Sequence, residues 1–117
     1  IFESLGKTVV IPERLIDVAS AVSGASAAFV FMYIEALADG AVAEGMPRAM
    51  AYSMAEQTVL GSAYLMQKSG MKPSELKDAV ASPGGTTIEG INVLEQYSFR
   101  GAVIDAIRAC VDKSRSL

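Results

Sequence analysis

Histidine and tryptophan are absent from the 117 residues, and cysteine occurs once. Without histidine no His-based nucleophile triad can form. With a single thiol there is neither an internal disulfide nor a Cys/His zinc site, and no metal centre is expected. Basic charge is also scarce. Ten Lys and Arg stand against 13 Asp and Glu, a net charge of −3, whereas nucleic-acid binding wants a basic face. No secretory pattern is evident. The chain starts at Ile1 and not Met, and so reads as a piece of something longer.

What is abundant is apolar surface: 51% of the residues are hydrophobic. A chain this long is one domain that buries only about two-thirds of its unfolded surface. The excess predicts a partner surface. The stretch from Val18 to Ile34 carries no charge and approaches a membrane-span length. Ser20, Ser23, Gly24 and Ser26 interrupt it, and the acids Glu35 and Asp39 follow it where a basic flank would be needed. A buried interface helix is expected, and no membrane partner.

Thr8-Val9-Val10-Ile11 is the one credible strand, too little for a sheet. Everything after Pro12 reads as helix, so the fold class is all-α. Pro12-Glu13-Arg14 opens a short helix that Ser23-Gly24 is expected to stop. A long second helix spans Ala27 to Glu44, with Phe29, Phe31, Met32, Ile34, Leu37 and Val42 around most of its circumference and Glu35 and Asp39 as a narrow acidic stripe. A helix apolar nearly all round is a buried one, here to be covered by a second copy.

Gly45-Met46-Pro47 breaks the chain, and a third helix runs from Pro47 to Lys68. Its Met46, Met50 and Met54 are expected to fill a core, and Gly61-Ser62-Ala63 to admit a neighbouring helix. A fourth helix runs from Pro73 to Ala81 and a fifth from the Thr pair to Gln96. The last, Phe99 to Ser114, is expected to be capped by Ser98. It pairs Arg108 with Asp112 and keeps Cys110 on or beside its apolar face.

The chemistry is concentrated in Ser82-Pro83-Gly84-Gly85-Thr86-Thr87. Pro83 fixes φ and has no N–H. The two glycines let a ligand approach the main chain. The helix behind them points unpaired N–H groups and its positive dipole end into the gap. That arrangement suits a carboxylate or phosphate, with two hydroxyls at the rim. The same residues also suit an ordinary interhelical turn with a Thr cap.

The order of those residues resembles the signature of pyrroline-5-carboxylate reductases. Leu76-Lys77-Asp78 and Leu94-Glu95 flank it as they do in that family. The resemblance extends through Ile34-Glu35-Ala36-Leu37-Ala38-Asp39-Gly40, Gly45-Met46-Pro47-Arg48, Gln57-Thr58-Val59-Leu60-Gly61, Phe99-Arg100 and Ile104-Asp105-Ala106.

The resemblance implies the second, helical domain of such an enzyme at residues 13–117. Residues 1–12 would be a remnant of the last strand of the first, Rossmann-like cofactor domain. It implies an oxidoreductase of proline biosynthesis that reduces the small molecule 1-pyrroline-5-carboxylate to L-proline. The cofactor, NADPH or NADH, would be bound mainly outside this chain, which has no G-x-G-x-x-G. It implies a cytoplasmic homodimer or larger homo-oligomer with interlocked long helices. N–H groups around Gly84, Gly85, Thr86 and Thr87 would take the substrate carboxylate, Ser82 would line the pocket, and the Thr87 hydroxyl would hydrogen-bond the ring nitrogen as the catalytic group. Glu13 stands where the family has an acid near the domain junction, toward cofactor or substrate. The isolated chain is expected to be inactive.

The family usually reads Ser-Gly-Ser-Gly-Pro-Ala-Tyr before the long helix, whereas this chain has Ser23-Gly24-Ala25-Ser26-Ala27-Ala28-Phe29. Thr86 is Ala in some members, and Ala79 replaces an Asn. Two other readings stay open: another imine or hydroxy-acid reductase with a helical second domain, and a non-catalytic helical dimerisation module.

Overall fold

A computed structural model describes residues 10–117. The expected strand and cofactor-domain remnant lie outside the described residues except for Val10, Ile11 and Pro12, which adopt no regular structure. Among the described residues there is no strand, and the fold is all-α.

Pro12 precedes a 3-10 turn, Glu13–Leu15, closed by the Leu15 N–H on the Pro12 carbonyl at 2.9 Å. Helix α1, Ile16–Ser20, follows directly. The expected stop at Ser23-Gly24 is not there. A π-helical turn, Ala21–Ala25, leads straight into α2, Ser26–Ala43, so that one helical run covers Glu13–Ala43. The reason is local. Ser23 donates to the Ala19 carbonyl at 2.7 Å and Ser26 to the Val22 carbonyl, both i−4 bonds that keep the hydroxyls on the helix. Ala27 stands where a proline would have removed an N–H. A lone Gly24 weakens a helix by about 1 kcal/mol relative to Ala, which does not break it.

After the break at Gly45-Met46, α3 is Arg48–Ser69 and α4 is Pro73–Val80, where Glu75 accepts the Lys72 N–H at 3.1 Å. Helix α5 is Thr86–Gln96 and α6 is Phe99–Ser116. Ser98 sits at φ 56 and closes α5, its N–H on the Glu95 carbonyl at 3.1 Å. Arg108 pairs with Asp105 at 3.8 Å and not with the expected Asp112. The i, i+3 partner is equally reachable on a helix, and both groups are exposed.

The described chain divides into two compact units. One takes the described residues up to Phe31 together with Arg100–Leu117; the other is Met32–Phe99. In the first, the Ser114 hydroxyl donates to Asp17 at 2.6 Å, and Ala21 and Val111 are buried. In the second, Arg48 at the start of α3 is hydrogen-bonded and ion-paired to Asp39 of α2. That bond, with the attraction of the same carboxylate, holds the guanidinium above its ordinary pKa. Arg48 also lies 5.6 Å from the Tyr52 ring centre, and the Tyr33 and Phe99 rings stand 6.2 Å apart.

The buried hydrophobic side chains among the described residues are small: Ala21, Ala38, Ala51, Ala55 and Val111. Many of the large ones face outward. Phe31 is 65% and Met32 64% exposed, and Met50 and Met54, expected in a core, are 53% and 56% exposed. One copy has too few elements to wrap α2 and α3, as the apolar circumference of α2 foretold. The run Glu13–Ala43 is also long and apolar enough, by length and composition, to cross a bilayer.

Candidate functional site

The segment between α4 and α5 is a tight turn whose shape follows from its sequence. Gly85 donates its N–H to the Ser82 carbonyl at 3.1 Å, which makes residues 82 to 85 a four-residue turn. Pro83 takes the second position, where its fixed φ belongs. Gly84 takes the third with φ 70, the left-handed value that a type II turn requires there. Gly85 then extends the chain (φ −85, ψ −179) and stands as N-cap of α5, without a side-chain cap bond. A Thr cap is therefore not what the turn is for.

Because no side chain caps this end, the first N–H groups of α5 have no partner from an N-cap side chain, and the positive end of the helix dipole opens beside them. Thr86 and Thr87 are exposed in the first turn, Ser82 is exposed at the start of the segment, and Gly85 is half-buried between them. Ser82, Gly84, Gly85, Thr86 and Thr87 are thus brought into one turn within the unit Met32–Phe99. The closest acid on α5, Glu89, stands at the end of the helix's first turn. This arrangement can hold a small anion by its main chain and present hydroxyls to a neighbouring polar atom.

Glu13 belongs to the other unit, at the head of the helical run. It is exposed; its carbonyl accepts the Ile16 N–H, and its carboxylate has no partner among the described residues. A free carboxylate there can accept hydrogen bonds from hydroxyl or carboxamide donors. An apolar groove of about 350 Å³ runs beside it, lined by Val10, Pro12, Leu15, Val18 and Val22 among others. The Ser23 hydroxyl in that lining already bonds the Ala19 carbonyl, so the groove holds no group for acid–base work.

Sequence reasoning did not single out Asp17 or Ser114, which lie 97 residues apart. One signal was available: Glu13 and Asp17 stand four apart at a helix start, and like charges at that spacing call for a neutralising partner.

Comparison with known proteins gives a consistent picture. Residues 13–117 match the family model described as pyrroline-5-carboxylate reductase dimerisation. Over 117 residues the chain is 53% identical to a pyrroline-5-carboxylate reductase of Escherichia coli K12, covering all of this chain and 44% of that protein. Among solved structures, 1-pyrroline-5-carboxylate reductase from Streptococcus pyogenes aligns with a TM-score of 0.93 at 41% identity, over 98% of this chain and 44% of that one. The Plasmodium falciparum pyrroline carboxylate reductase with NADP bound aligns with a TM-score of 0.88 at 38% identity, over 91% and 43%. The chain spans less than half the length of these relatives.

Proposed function

This chain belongs to the pyrroline-5-carboxylate reductase dimerisation family, and on that premise we propose that it is the substrate-loop and subunit-pairing part of an enzyme that reduces 1-pyrroline-5-carboxylate to L-proline. The observation that supports this reading best is the turn at residues 82–85, which delivers the bare start of α5 with Thr86 and Thr87 exposed. The carboxylate of a five-membered cyclic imine is the size of anion such a helix start accepts.

The reaction adds a hydride to the C=N carbon and a proton to the ring nitrogen, giving a secondary amine. A reduced nicotinamide, NADPH or NADH, supplies the hydride. The sequence has no Gly-rich dinucleotide turn, and within this chain Glu13 is the residue that would meet the cofactor. The tasks of the chain itself are therefore binding and orientation. Main-chain N–H groups of Thr86 and Thr87 hold the carboxylate, while Ser82, Gly84 and Gly85, whose own N–H closes the turn on the Ser82 carbonyl, shape the wall beside it. The Thr87 hydroxyl hydrogen-bonds the ring nitrogen. A hydroxyl with an ordinary pKa is a poor acid near neutrality, so its work is to orient the imine, and most of the acceleration comes from positioning.

The exposed faces of α2 and α3 are covered by a second copy, giving a homodimer or a larger homo-oligomer. Each large side chain so buried contributes roughly 1.5–3 kcal/mol. A composition that would suit a bilayer suits a helix enclosed by its partner equally well, and a cytoplasmic setting follows from the biosynthetic role.

The test is turnover by the full-length protein, followed by loss of reduced-nicotinamide absorbance with pyrroline-5-carboxylate and, separately, by its gain with 3-hydroxy acids and the oxidised cofactor. Turnover of the imine acid alone is expected, with Thr87→Ser active and Thr87→Ala slower by tenfold or more. Preference for a hydroxy acid would replace this reading by its rival.

A further inference from the structure

Glu13 and Asp17 sit at the head of the helical run, one turn apart, where two carboxylates repel. The structure treats them differently. Asp17 is half-buried; its Oδ1 accepts the Ser114 hydroxyl at 2.6 Å in a part-buried bond, and its Oδ2 faces Arg115 Nε at 3.9 Å. Glu13 is exposed, and its carboxylate has no partner among the described residues. All four residues lie in the same compact unit.

The buried side chains on α1, the π-turn and α6 are Ala21, which opens the π-turn, and Val111, one turn before Ser114. The half-exposed Arg115 contact is weak alone. The short hydroxyl–carboxylate bond is the stronger of the two, being charge-assisted. It fastens the beginning of the described chain to its end, close behind Glu13.

We propose that Ser114 and Arg115, acting through Asp17, are positioning residues that fix the first turns of the helical run and so the place of the Glu13 carboxylate. This rests on the reading of Glu13 as the group that meets the cofactor. The clasp also takes up the charge of Asp17, so that Glu13 extends from a helix start relieved of its repelling neighbour.

The experiment uses the full-length protein with Ser114→Ala, Ser114→Thr, Asp17→Asn and, as control, Ser116→Ala, whose hydroxyl bonds only the Lys113 carbonyl. Amide hydrogen exchange over residues 16–21 reports the clasp, and titration with NADPH reports the consequence. Ser114→Ala is expected to speed that exchange about tenfold, the loss of one bond to a charged group, and to weaken NADPH severalfold while leaving proline affinity unchanged. Ser114→Thr keeps a hydroxyl and should match the parent, as should Ser116→Ala. Joining Asp17→Asn to Ser114→Ala should add little, since both weaken the same charge-assisted bond. Unchanged exchange in Ser114→Ala overturns the proposal, and so does faster exchange with unaltered NADPH affinity. If the unsubstituted protein binds no NADPH, the reading of function falls and the link to Glu13 with it, while exchange over residues 16–21 still decides whether the clasp holds α1.

Discussion

A Cβ placed on Gly85 would lie 2.6 Å from the Ser82 hydroxyl oxygen and 3.3 Å from the Ser82 carbonyl oxygen. The two residues therefore share one space. While residue 85 is glycine, the Ser82 hydroxyl can lie across the start of α5. Gly85→Ala should push that hydroxyl to another rotamer at a cost of about 1 kcal/mol or less. Urea melts should show that small loss, and Ser82→Ala should relieve most of it in the double variant. Proline binding, in contrast, should weaken severalfold in Gly85→Ala.

Gly84 poses the opposite case. Nothing lies within 4 Å of a Cβ there, but its φ is 70. The strain of Gly84→Ala is in the backbone and should cost about 1–2 kcal/mol. Gly84→Asn should cost less, because Asn tolerates the left-handed region better. Equal stability of the Ala and Asn variants in urea would contradict the turn described for residues 82–85.

Ser98 is the one non-glycine residue with positive φ among those described, at 56. Ser98→Gly should raise stability by up to about 1 kcal/mol, the relief of left-handed strain less the flexibility of glycine. Ser98→Val should be clearly destabilising, since a β-branched residue is a poor fit there. Thermal melts at fixed protein concentration decide both.

If main-chain amides hold the ligand by its charge, proline and its carboxamide should differ. Backbone amide resonances of Gly85, Thr86 and Thr87 should shift on titration with proline. The carboxamide should bind at least tenfold more weakly, the usual consequence of removing a charged hydrogen-bond acceptor. Similar affinities for both would remove the anion site.

Much of this was legible in the residues. Pro12 and Pro73 marked helix starts, Gly45-Met46-Pro47 the break between α2 and α3, and Ser82-Pro83-Gly84-Gly85 its turn, because proline and glycine act through their own backbone. The failures share a cause: they depended on where a side chain finds a partner. Ser23 and Ser26 could have stopped a helix but instead bond the carbonyls of Ala19 and Val22 within it. Ser98 reads as a cap, and its left-handed closure of α5 has no signal in the residue type. Met50 and Met54 have the spacing of a core stripe, and one copy of the chain leaves them outside. The clasp of Asp17 by Ser114 has no local signature, because its partners meet only through the fold. The turn that forms the candidate site could be read from sequence; the exposed side of α2 could be read as apolar, though the sequence does not contain what covers it.

The account turns on that cover. Sedimentation equilibrium of the purified chain, with Phe31→Glu and Met32→Glu variants beside it, tests it most directly. The mass of two chains or a higher multiple, falling toward one chain when either charge is placed on α2, is the predicted result. A monodisperse single chain with Phe31 and Met32 intact, soluble and folded at high concentration, would contradict it.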